Sequence, residues 1–230
     1  MADSAAPLLS HLPAAVVAIG ALGTAAFGLV DAFKALPGGG ISRAGFKFVR
    51  QVITTLAPVV PSLEATGLSQ ASILNTLESQ WINGADSGDQ VNIAKSLIKL
   101  RLTTDTAGAL ATATGVDGSI LSQVAGCIAT GQALTTQQTD VYGRFDLLLT
   151  TLLDQAYQRA DQRYRNTAKI AAIPISVALA VTGANILHSV TISWEQAVLL
   201  GLIATPIAPI AKDISTAITT GVQAIQAWKS

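Results

Sequence analysis

Long uncharged apolar runs stand at both ends of this chain, and a patchwork of short amphipathic segments lies between them. Ser4 to Val30 contains no Asp, Glu, Lys or Arg, which is long enough to cross a bilayer core. We read it as a transmembrane helix starting near Pro13, because proline is tolerated in a first turn. A cleavable signal peptide is the rival reading, but the segment is preceded by Asp3 and lacks the basic start such peptides carry. Gly20, Thr24 and Gly28 recur every four residues among alanines. That spacing makes either a small-residue face for close helix packing in lipid or simply an Ala/Gly-rich segment.

The PGGG stretch at Pro37 to Gly40 ends this helix by its backbone chemistry. In the next segment, Phe46, Val49, Val52 and Ile53 form an apolar stripe, with Arg43, Lys47 and Arg50 on the same piece of chain. It suits either a membrane surface with anionic headgroups or the first helix of a bundle; Pro58 and Pro61 terminate it. Further helices are expected over Ser69–Ile82, after Asp89 as N-cap, over Asp105–Thr114 and from near Asp117. Strand alternation and hairpin signals are nearly absent. The middle therefore reads as a small helical bundle.

From Thr136 the pattern lengthens. Val141, Phe145, Leu148, Leu152, Ala156 and Ala160 make one stripe, flanked by Leu149, Leu153, Tyr157 and Tyr164. Charge then stops at Lys169, and an apolar run continues from Ile170 to about Leu187. If unbroken from Thr136 to Leu187, the helix is roughly 78 Å long, far beyond the roughly 30 Å of a bilayer core. It predicts a stalk continuing into a membrane span, with a kink possible at Pro174 and interfacial aromatics at Tyr157 and Tyr164. A short loop with Trp194 as interfacial anchor leads to a third apolar run, Gln196 to Ala211, broken up by Pro206 and Pro209. Its freed carbonyls need partners from neighbouring helices. The tail places Ile214, Ile218, Val222, Ile225 and Trp228 on one helical side.

The expected fold class is all-α: an integral membrane protein with three transmembrane helices and a small cytoplasmic bundle. Its divisions are an N-terminal transmembrane helix (1–36), a cytoplasmic helical region (37–135), a stalk (136–169), a transmembrane hairpin (170–212) and an amphipathic C-terminal helix (213–230). Composition agrees, with 50% hydrophobic and only 12% charged residues and a mean hydropathy of +0.49, where soluble domains carry about 25% charged residues. Positive charge chooses the cytoplasmic side. Lys34, Arg43, Lys47 and Arg50 follow the first run; Arg159, Arg163, Arg165 and Lys169 precede the second; Lys212 follows the third. All three runs place the N-terminus outside, with the middle region and the C-terminus in the cytoplasm.

Candidate chemistry is sparse. Fourteen bases balance fourteen acids, which removes the global electrostatic case for nucleic acid. Cys127 is the only cysteine, so no intrachain disulfide is expected, and it reads as a small buried hydrophobe. His11, His188 and Glu195 all fall near the outer ends of apolar runs, a thin set for a metal site that needs three or four ligands. Asp117-Gly118-Ser119 lacks the remaining oxygens of a calcium loop and reads as a helix cap. PGGG lacks the Lys-Ser/Thr of a phosphate loop, and no nucleophile elbow appears. No catalytic, cofactor-binding or metal residue is assigned. The apolar runs have no charged residue in their interiors, unlike most pumps, which leaves open a pore lined by Ser, Thr and Asn, such as Ser176, Thr182 and Asn185, or one made by oligomerisation.

The stalk motif resembles a family of uncharacterised bacterial integral membrane proteins. The matching positions are Phe145 and Asp146, then Asp154, then Arg163, Tyr164 and Arg165 leading into an apolar helix, followed by ATPIAPIAKD. Arg144 stands where that pattern has Trp, and Asn185 matches the end of its second span. The resemblance implies the same membrane architecture and brings no activity with it. The expected role is therefore a non-enzymatic interaction or accessory subunit, contacting membrane lipids and forming a homo-oligomer or joining a membrane-protein partner. A pore subunit is the alternative, and a membrane enzyme the weaker one.

Overall fold

The computed structural model describes residues 5–33, 40–64, 66–186 and 193–209, with side chains from Val16 onward. The described residues are helical apart from caps and turns, with no strand. In chain order the helices are α1 (Ala5–Ala32), α2 (Gly40–Leu56), α3 (Pro61–Glu64), α4 (Gln70–Asn83), α5 (Ser87–Leu100), α6 (Thr104–Thr114), α7 (Gly118–Thr130) and α8 (Thr136–Ile186). A further helix, α9, covers 194–209. The chain divides into two compact units, one of 37–164 and one of 1–36 with 165–230. The expected C-terminal helix at 213–230 lies outside the described residues. Among the described residues one helix, α8, is long and apolar enough to cross a membrane; the apolar stretch Val16–Ala32 of α1 is shorter.

Local chemistry sets the boundaries in the 37–164 unit. Ser69 caps α4, its hydroxyl accepting from the Ser72 amide at 3.1 Å. Thr103 and Thr106 form a reciprocal capping box on α6. The α4, α6 and α7 helices each end on a left-handed glycine, Gly84, Gly115 and Gly131, the conformation that frees a helix end at no Cβ cost. Pro61 opens α3 at the position where a missing amide proton costs nothing. One expected boundary moves: Asp86, not Asp89, caps α5, its carboxylate accepting from the Gly88 amide at 2.8 Å. Asp89 instead sits in the first turn, where its charge favours the helix dipole.

The core of this unit is a contiguous cluster drawn from α2, α4–α7 and the first half of α8. The stripe of α2 is used as expected of a bundle helix. Phe46, Val49 and Ile53 are buried with Ile73 and Leu77 of α4, which removes that face from any membrane surface. On α8 Phe145, Ala156 and Ala160 of the expected stripe are buried together with the flanking Leu149, Leu153 and Tyr157, and Leu148 is exposed, so the buried line is rotated from the expected centre. Tyr157, expected at a membrane interface, is 2% exposed and packs against Trp81 with ring centres 6.3 Å apart. Its burial raises the phenol pKa well above its ordinary value. The Trp81 indole is anchored in turn, donating to the Ser42 carbonyl at 2.8 Å.

Gly45 lets α2 approach α8 closely. A Cβ there would collide with the Ala160 carbonyl oxygen and stand 3.0 Å from the Trp81 ring. Gly143 differs, since a Cβ would meet nothing within 4 Å. Gly45→Leu should therefore lower the thermal midpoint by about 5 °C or more, as overpacking costs roughly 1–3 kcal/mol. Gly143→Ala should stabilise by about 0.5–1 kcal/mol through helix propensity. Circular dichroism melts of the two variants in one detergent check both signs.

Candidate functional site

Within the unit of 1–36 and 165–230, the described helices α1, α9 and the second part of α8 bury small residues. The α9 helix buries Ala197, Gly201, Ala204, Thr205 and Ala208. Gly201 sits against the α8 backbone, where a Cβ would collide with Val177, and Gly23 of α1 sits as tightly against the Ala204 carbonyl. Such approaches maximise dispersion contact between the helices. Large apolar side chains point outward: Ile170 is 68% exposed, Ile186 71% and Leu199 60%.

The small-residue face of α1 differs from the expected one. Gly20, Gly23, Ala26 and Val30 are buried, whereas Thr24 and Gly28 are exposed. Spacing by threes turns the line to one side of Gly20, and spacing by fours turns it to the other. Sequence spacing alone did not indicate which side α9 takes. Thr24 satisfies its hydroxyl locally, donating to the Gly20 carbonyl at 2.9 Å.

Ser176 forms the polar centre of this unit. Its buried hydroxyl donates to the Gly201 carbonyl at 2.6 Å, reaches the Ile173 carbonyl at 2.9 Å, and lies 3.2 Å from the Thr205 hydroxyl. The three groups proposed for a pore lining do not share one face, because Ser176 is buried and Thr182 and Asn185 are exposed. Of the sparse metal candidates, Glu195 is exposed in the first turn of α9. The His11 side chain and His188 lie outside the described residues. No group of three or more potential metal ligands occurs among the described residues.

Charged clusters mark the 37–164 unit. Asp146 of α8 takes Lys99 at 2.9 Å and Lys95 at 3.5 Å, and Lys99 stands 4.9 Å from the Tyr142 ring centre. The hydrogen bond from Lys99 holds the Asp146 pKa below the ordinary value. Burial pulls Lys99 down, but the bonds to Asp146 and Tyr142 outweigh it and leave its pKa raised. Glu78 of α4 bridges Arg43 at 2.9 Å and Arg50 at 3.0 Å on α2. Lys47 lies between these two in sequence, its ammonium over the Phe48 ring at 5.2 Å.

Arg101 was not singled out by any sequence pattern. It is 1% exposed and donates to the carbonyls of Leu68, at 2.5 Å, and Pro58. Burial lowers its pKa, with Glu64 acting in the opposite direction. Its work is structural: it ties down the connection between α2 and α4. Asp117 is the expected cap, accepting from the Ser119 and Ile120 amides at 2.9 and 3.0 Å. Cys127 is half-buried, not fully so, with its thiol 3.9 Å from the Gln138 amide oxygen.

A groove of about 210 Å³ opens between α2, α6 and α8. Phe48, Val52, Leu56, Leu152 and Ala156 line it, with Arg159 among the polar residues along its walls. It was missed because its residues lie on three separate helices, and no single helical stripe reveals it. No family model, curated protein or solved structure matches the chain.

The Lys–Asp146 cluster carries a signed pH dependence. A depressed carboxylate contributes stability above its unfolded value near 3.8, lost as pH falls through the folded value; a raised lysine contributes below 10.5, lost as pH rises through its folded value. Asp146→Asn should flatten both limbs and cost about 1 kcal/mol or less at neutral pH, as expected of a partly exposed pair. Urea unfolding across the pH range checks this, and an unchanged acid limb would refute it.

Proposed function

We propose that this chain is a non-enzymatic subunit of a bacterial inner membrane, holding partners or copies of itself together through three spanning helices. The spans are α1, the apolar part of α8 from Ile170, and α9, with the 37–164 unit in the cytoplasm, the N-terminus outside and the C-terminus inside. The observation that carries this reading is the inverted side-chain distribution. Gly23, Gly201, Ala204 and Ser176 face inward while Ile170, Ile186, Leu199, Leu202 and Ile203 face outward. A water-soluble domain does the reverse, and an exterior of large aliphatics suits lipid. The cations flanking each apolar run supply the orientation, and the stalk resemblance points the same way.

A pore subunit is the second reading, with Thr182 and Asn185 as the exposed polar groups available to an oligomeric lining. A membrane enzyme at His11, His188 and Glu195 is the weakest. Conductance of reconstituted protein in a planar bilayer would favour the pore. Loss of phenotype on replacing all three of those residues by Ala would favour the enzyme.

Topology gives the direct test. In a Cys127→Ser background, Ala2→Cys and Ser193→Cys should react with an impermeant maleimide added to intact cells, and Ser119→Cys should react only after lysis. Labelling of Ser119→Cys from outside overturns the orientation. Native mass spectrometry from mild detergent should show an oligomer or a bound membrane protein. A strictly monomeric, partner-free chain after crosslinking in lipid removes the scaffold reading.

A further inference from the structure

We propose that the groove between α2, α6 and α8 seats one acyl chain of an anionic phospholipid, with Arg159 meeting its phosphate. This rests on the reading of the neighbouring apolar helices as membrane spans, which supplies the lipid.

The groove has the two-part character that an amphiphile requires. Its apolar wall comes from Phe48, Val52 and Leu56 on successive turns of α2, facing Leu152 and Ala156 on successive turns of α8. Two helices thus supply an apolar lining of five side chains, which suits a hydrocarbon chain. The charge along it has one sign. Arg159 is its one charged lining residue, and no Asp or Glu is among them. Arg159 lies outside the carboxylate clusters of the unit, where Glu78 takes Arg43 and Arg50 while Asp146 takes Lys95 and Lys99. The remaining lining residues are Ala113 of α6 and the exposed, polar Gln51, Thr55 and Gln155, which suit a glycerol backbone at the rim. Arginine is also the side chain whose planar donors match phosphate oxygens.

The test uses the full chain, reconstituted into vesicles of equimolar phosphatidylcholine and phosphatidylglycerol and then counted for retained lipid by native mass spectrometry. Wild-type protein should retain phosphatidylglycerol preferentially. Gln155→Trp, at an exposed position that fills the slot without touching the core, should abolish retention while leaving the circular dichroism melt unchanged. Arg159→Gln should cut the preference for phosphatidylglycerol about five-fold, and Arg163→Gln, outside the groove, should not. Dodecyl phosphate should displace the lipid and glycerol phosphate should not, since only the first has a chain to bury. Unchanged retention in Gln155→Trp overturns the proposal, as does an equal effect of Arg163→Gln. An oligomer that dissociates in Gln155→Trp with its lipid count unaltered assigns the groove to a second copy and also overturns it. Release of the wild type by alkaline carbonate would instead bring down the membrane reading itself.

Discussion

Helix α8 obeys two opposite packing rules in one continuous element. In its first half the large side chains Phe145, Leu149, Leu153 and Tyr157 turn inward and fill a core. In its second half Ala172 and Ser176 turn inward, and Ile170 and Ile186 turn out. The first arrangement is what water demands, because removing large apolar area from solvent is the main source of stability. The second works where the surroundings are already apolar and helices gain by fitting closely. Each unit is built around its half of α8. The bundle helices bury their stripes against it, and α9 brings Gly201 to within backbone contact of it.

Close approach in either unit creates a polar obligation. Where helices touch through glycine, carbonyls lose access to other partners, and buried carbonyls need donors. The bundle meets this with long side chains reaching across: Arg101 to two loop carbonyls and Trp81 to the Ser42 carbonyl. The α8–α9 contact uses a short one, Ser176, because the helices leave no space for anything larger. The choice of donor follows from the distance between backbones.

Much of this was legible in advance. The helix starts at Ser69, Asp117 and Thr136, the stripe of α2 and the unbroken length of α8 follow from capping chemistry and periodicity. The misses share one cause. Tyr157 looks interfacial in sequence because tyrosines near a basic collar usually are, yet Trp81, seventy-six positions earlier, buries it. Arg101, the α1 face and the groove depend likewise on which distant residue arrives. Periodicity gives the faces of a helix but not the identity of the neighbour that covers each one.

The Ser176 hydroxyl has one proton and three oxygens in reach. Two of those oxygens are carbonyls, which only accept, so the proton is shared between Gly201 and Ile173 and leans toward the nearer Gly201. With that proton turned to a carbonyl, Thr205 is the donor in the 3.2 Å contact between the two hydroxyls. The contact is thus directional, a relay running from α9 back to α9 through one atom of α8. Such a relay selects one axial register between the two helices, because sliding either by a residue pulls the Ser176 hydroxyl away from the Gly201 carbonyl.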